Sequence, residues 1–142
     1  MTKLSTLKHG IYYYDFNTKS WRLLRSEGDP FTIGELGDGL YMIYFDNTKC
    51  EACEMQDEEW IKFIQEFKGT SNLKAVVILC EWFASKCESQ AAAETYRRYK
   101  VRASPTIIVA LYANGKEVCR KLLLGVRFKR ELEYHAQNPC RE

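Results

Sequence analysis

This chain carries little net charge and no long apolar run. Its 21 Lys and Arg residues nearly balance 19 Asp and Glu residues, leaving a formal charge of +2. That near-neutrality argues against a nucleic-acid binder, which needs a strong basic excess. No segment approaches the ~20 apolar residues of a membrane span, and Met1 to Tyr14 lacks the apolar run of a signal peptide. The expectation is a soluble, cytoplasmic protein with no membrane partner. Internal repeats, low-complexity tracts and Pro- or Ser-rich linkers are also missing, so 142 residues read as one packed unit rather than two domains. The only histidines, His9 and His135, lie in no recognisable motif and read as surface residues. Arg97, Arg98, Lys100 and Arg102, like Arg127, Lys129 and Arg130, read as solvated helix faces.

Cysteine is what the chain has in excess. Six cysteines are many for a reducing cytosol, where disulfides are normally transient. Two of them form Cys50-Glu51-Ala52-Cys53, a spacing that closes into a small disulfide and reopens at low geometric cost. A second close pair is absent, because Cys80, Cys87, Cys119 and Cys140 are widely separated. Zinc sites usually bring two such pairs, so no metal and no cofactor are expected.

The surroundings of Cys50 and Cys53 are legible. The apolar run Leu40-Tyr41-Met42-Ile43-Tyr44-Phe45 reads as a buried strand, and the pattern after it reads as an amphipathic helix. Trp60, Phe63, Ile64 and Phe67 share one helix face, and Gly69 supplies a stop. Glu51, Glu54, Asp57, Glu58 and Glu59 crowd the early turns, with Lys62 and Lys68 toward the far end, as a helix dipole favours. Cys50 therefore sits where free backbone N–H groups stabilise a thiolate, and Cys53, one turn on, faces the core.

Downstream, Ser104-Pro105-Thr106 precedes the buried strand Ile107 to Tyr112, and Asn114-Gly115 signals a hairpin into Val118 to Leu124. A strand at Lys74 to Cys80 and a helix near Glu88 to Tyr99, with Ala91, Ala92, Thr95 and Tyr99 on its sheet-facing side, complete the middle of the chain. Upstream, Ile11 to Tyr14 and Trp21 to Leu24 flank a polar turn and read as a hairpin. Phe31 to Leu36 reads as a short helix or turn before Gly37-Asp38-Gly39.

In this order of elements the chain resembles the thioredoxin superfamily, from about Leu40 to about Ala136, roughly two-thirds of its length. The resemblance implies an α/β, three-layer, thioredoxin-like fold: a central mixed β-sheet flanked by helices, with an N-terminal β-hairpin extension. Residues 1–36 are expected to pack on the sheet edge and 37–142 to form the thioredoxin-like domain. It further implies a cis peptide bond before Pro105, with Ser104 and Pro105 forming the substrate-binding groove. Cys50 would attack a disulfide in a protein substrate and Cys53 would resolve the mixed disulfide, with an upstream reductase or oxidant as the second partner. The chain departs from the Trp-Cys-Gly-Pro-Cys of thioredoxins, having Lys49-Cys50-Glu51-Ala52-Cys53. The buried acid of thioredoxins falls near Tyr44, so proton transfer is assigned to Asp46, read as nearer the surface, to Tyr44 or to water. Lys49 adds a positive charge that favours the thiolate, and Glu51 and Glu54 oppose it.

The same topology pairs the remaining cysteines. A terminal helix starting near Val126 runs back along the strand Val118 to Leu124; helix rise is about 1.5 Å per residue against about 3.3 Å for the strand. This brings Cys140 level with Cys119, and a Cys119–Cys140 disulfide is expected. Cys80 and Cys87, at the two ends of a short loop, form the remaining pair, or else Cys80 is a reduced neighbour of the site. The alternative to an enzyme is an interaction module held by structural disulfides or a metal.

Overall fold

The computed structural model describes residues 3–68 and 72–141. Its strands are β1 (Gly10–Asp15), β2 (Ser20–Arg25), β3 (Gly39–Asn47), β4 (Leu73–Cys80), β5 (Thr106–Ala113) and β6 (Lys116–Leu124). Its helices are α1 (Glu51–Glu66), α2 (Gln90–Arg98) and α3 (Lys129–Gln137). The strands form one sheet in the order β2-β1-β4-β3-β5-β6. β3 and β4 are parallel, and every other neighbouring pair is antiparallel.

Side chains alternate across a pleated strand, and here both faces are covered. From β3, Leu40, Met42 and Tyr44 pack with Trp60, Phe63 and Ile64 of α1 and Leu132 and Ala136 of α3. Tyr41, Ile43 and Phe45 point the other way, among Ala91, Ala92 and Tyr96 of α2. All nine residues of β3 are therefore buried, which explains its unbroken apolar sequence. The N-terminal hairpin joins the sheet by hydrogen bonding, with β1 pairing Ile11 to Ile78 and Tyr13 to Val76.

Asn114 and Gly115 both have positive φ, 54° and 74°, the backbone of a type I′ hairpin turn and the reason for the Asn-Gly dipeptide. Phe31 to Leu36 is a turn rather than a helix, and its main chain is bound from α2: Thr95 Oγ1 accepts from Phe31 N at 2.9 Å. α1 stops at Glu66, and Phe67 N donates to Phe63 O; Gly69 lies outside the described residues.

Two expectations are corrected. The terminal helix begins at Lys129 rather than Val126, because Gln56 of α1 holds Arg127 at both main-chain N–H and C=O, at 2.7 and 2.9 Å, before the helix starts. His135 is not a surface residue: it is 8% exposed, on the face of α3 that meets the sheet. Burial, with Lys121 and Arg127 nearby, lowers its imidazole pKa.

Cys80 is bonded to Cys87 and Cys119 to Cys140, with Cα separations of 4.7 and 5.6 Å. No helix among the described residues is long and apolar enough to cross a membrane.

Candidate active site

The site forms where β3 hands the chain to α1. Cys50 is the N-cap of α1, in extended conformation, and its sulfur accepts the main-chain N–H of Cys53 at 3.2 Å. A thiol thus occupies the place usually taken by Ser, Thr, Asp or Asn. The Cys50 sulfur therefore meets a main-chain donor at the positive end of the helix dipole. Cys50 is partly exposed, Cys53 is 1% exposed, and neither is in a disulfide. Burial pushes the Cys53 thiol far up, as does its contact with Cys50, while Ser104 opposes the shift.

Ser104 stands across from the pair. Its Oγ lies 3.2 Å from Cys50 Sγ and 3.1 Å from Cys53 Sγ, so one hydroxyl spans both sulfurs. The Ser104–Pro105 peptide bond is cis, and Pro105 C=O accepts from Gly125 N at 3.0 Å. Asn47, the last residue of β3, donates from Nδ2 to Ser104 Oγ at 2.9 Å. Asn47 Oδ1 accepts from Phe83 N at 2.8 Å and from the Tyr96 hydroxyl at 2.9 Å. Phe83 belongs to the loop closed by Cys80–Cys87.

The acid expected nearer the surface is buried instead. Asp46 is 1% exposed, and its Oδ2 has no hydrogen-bond partner among the described residues. The cause is pleat geometry: Asp46 follows Tyr44 by two residues and so lies on the face that α1 covers. Beside it, Tyr44 donates to Asp57 Oδ1 at 2.6 Å. Burial, and then a bond to neighbouring Asp57, hold Asp46 well above the usual carboxylate range. Asp57 is raised by burial, offset in part by the bonds from Asp46 and Tyr44. Both carboxyls are therefore harder to ionise than exposed ones.

Lys49 is exposed, and its main-chain N–H donates to Glu81 O at 3.1 Å. The fold thus brings together Cys50, Cys53, Ser104, Asn47, Phe83 and Tyr96, and sets Tyr44 and Asp46 of β3 under α1, against its Asp57. Asn47, Asp57 and Tyr96 are not evident from the sequence reading. Signals for two of them exist: Asp46-Asn47 is a polar pair closing an apolar strand, and Asp57 falls four residues after Cys53, on the same helix face. Tyr96 is hidden because Tyr99, one turn away, fits the sheet-facing pattern equally well. Among the described residues no cluster of three or more His, Cys, Asp or Glu side chains forms a metal site.

A six-stranded mixed sheet between helices, with a C-x-x-C opening α1 opposite the Ser104-Pro105 turn, defines a protein of thioredoxin-like fold. No family model matches the sequence, and no curated protein matches it. Solved structures match in fold. Thioredoxin from Aeropyrum pernix is 19% identical over 96% of this chain and 98% of that one, with a TM-score of 0.60. Thioredoxin-2 of the malaria parasite, a component of its protein secretion machinery, is 22% identical over 81% of this chain and 98% of its own, at 0.55. Chlamydomonas reinhardtii thioredoxin f2 is 17% identical over 82% and 97%, at 0.52.

Proposed function

We propose that the protein is a thiol–disulfide oxidoreductase acting on protein disulfides. The observation that carries this reading is the asymmetry of the thiol pair around one hydroxyl. Cys50 is accessible at a helix N-cap, Cys53 is buried behind it, and both sulfurs lie within 3.2 Å of Ser104 Oγ.

The Cys50 thiolate attacks one sulfur of a substrate disulfide, forming a mixed disulfide and releasing the other sulfur as a thiolate. Cys53 then loses its proton and attacks Cys50 Sγ, which forms the Cys50–Cys53 disulfide and releases the second substrate thiolate. The two substrate thiolates take up protons, so two electrons pass from the cysteine pair to the substrate. A dithiol partner returns the pair to its reduced form; alternatively a disulfide partner keeps the pair oxidised, and the Cys50–Cys53 disulfide then takes two electrons from a substrate dithiol, which becomes a disulfide. The Ser104-Pro105 turn is the surface against which a substrate segment lies, and Lys49 flanks the attacking sulfur.

Reduction of insulin disulfides with dithiothreitol as electron source tests the reading. Acceleration by the native chain and its loss in Cys50→Ser are expected. No acceleration above dithiothreitol alone would overturn it.

A further inference from the structure

The hydrogen bonds at Asn47 have only one consistent assignment of donors. A main-chain N–H can only donate, so the Asn47 side-chain atom facing Phe83 N at 2.8 Å is the carbonyl oxygen. The Tyr96 hydroxyl, 2.9 Å away and 2% exposed, donates to the same oxygen. The amide nitrogen therefore faces Ser104 Oγ at 2.9 Å, where it can only donate. Ser104 is left with one hydrogen and one lone pair for two sulfurs, at 3.2 and 3.1 Å. When Cys50 is the thiolate, the arrangement that also fills the remaining Ser104 lone pair has the Cys53 S–H donate to Ser104 Oγ and the Ser104 O–H donate to Cys50 Sγ.

We propose that Asn47 is a positioning residue that locks the Ser104 hydroxyl as the single donor shared by the two cysteines, serving whichever sulfur is anionic. The inference rests on the exchange reaction above for its catalytic meaning. With Cys50 reduced, the donors all run one way, from Tyr96 O–H through the Asn47 amide and Ser104 O–H to sulfur, and aligned hydrogen bonds reinforce one another. When Cys50 enters a mixed disulfide its negative charge is gone, and the same hydroxyl turns to Cys53 as that thiol ionises. The Cys80–Cys87 loop supports the device from outside by fixing Phe83, whose N–H holds the Asn47 oxygen.

The test is the pH dependence of Cys50 alkylation by iodoacetamide, read by site-resolved mass spectrometry. Ser104→Ala removes the donor and is expected to raise the midpoint by about one pH unit, or tenfold in thiolate population below it. Asn47→Ala is expected to move it the same way, the double variant no further than Ser104→Ala alone, and Ser104→Thr to stay near the native value. A native midpoint in Asn47→Ala, or shifts that add in the double variant, would overturn the proposal. Circular dichroism reports whether Asn47→Ala folds.

If it does not fold, Asn47→Asp is near-isosteric, retains both bonds at Oδ1, and replaces the donor to Ser104 with an acceptor. Its upward shift is expected to be larger with Ser104 present than in the Ser104→Ala background; equal shifts would sink the idea. These titrations need no disulfide substrate. An inactive native chain with the expected shifts refutes the exchange reading and leaves the bridge standing, whereas an active chain without them does the reverse.

Discussion

Tyr44 donates its phenolic hydrogen to Asp57 Oδ1 over 2.6 Å, tying the strand that leads into the thiol pair to the second turn of the helix that starts with it. The same hydroxyl lies 3.2 Å from the Cys53 carbonyl oxygen. Burial holds the Tyr44 pKa well above its ordinary value, with the nearby Asp46 and Asp57 charges adding to the effect, so it stays a donor. Tyr44→Phe leaves the half-buried Asp57 carboxyl without that donor. A loss of about 1–3 kcal/mol is expected, measured by urea denaturation; an unchanged midpoint would mean that water replaces the hydroxyl at no cost.

Asp46 and Asp57 make stability depend on pH in a definite direction. Both native pKa values are raised, so above the ordinary carboxylate value of about 3.9 the folded chain binds more protons than the unfolded one. Their contribution is fully present below that value and is lost as pH rises through the raised native pKa. Asp46→Asn keeps a donor toward Asp57 without a titrating proton. It is expected to be more stable than the native chain at pH 8 and close to it at pH 4. An equal difference at both pH values would contradict this linkage.

The thiols should differ sharply in reactivity. Cys53 is 1% exposed and its pKa is raised by burial, whereas Cys50 is accessible at the helix N-cap. Alkylation of the reduced, folded chain near neutral pH is expected to mark Cys50 first, and Cys53→Ser to accumulate a mixed disulfide through Cys50. Faster labelling of Cys53 would exchange the two roles.

The disulfides differ in what they constrain. Cys119–Cys140 spans 21 residues and Cys80–Cys87 spans 7, so the loop-entropy model assigns them about 3 and about 2 kcal/mol. Replacing Cys119 and Cys140 by Ser is expected to give the larger fall in urea stability. Replacing Cys80 and Cys87 by Ala is expected to cost less, but to slow insulin reduction, because that loop carries Phe83 N to Asn47. Equal activity in the two double variants would separate the loop from the site.

Gly34 has φ +104°, and a Cβ built there meets the Tyr112 ring. Gly34→Ala combines a left-handed backbone with overpacking and is expected to cost about 1–3 kcal/mol. A thermal melt like that of the native chain would indicate that Tyr112 moves aside freely.

Local pattern carried much of this architecture. The apolar run before Cys50, the spacing of Trp60, Phe63 and Ile64, and Asn114-Gly115 each encode their element within a few residues, because pleat, helix period and turn type are short-range geometry. The thiol pair was legible for the same reason: Cys50 and Cys53 are three residues apart on one helical turn. Tertiary closure decided the rest. Asp46 is deeply buried only because α1 folds back over its face of β3, and Asp57 becomes its partner only through that packing. Asn47 reaches Ser104, 57 residues away, and Tyr96, 49 residues away, through the adjacency of β3 to the Ser104-Pro105 turn and to α2. No periodicity connects positions so far apart. The sequence by itself determined which sulfurs sit at the helix start, and the assembled sheet decided which hydroxyl, amide and carboxyl groups surround them.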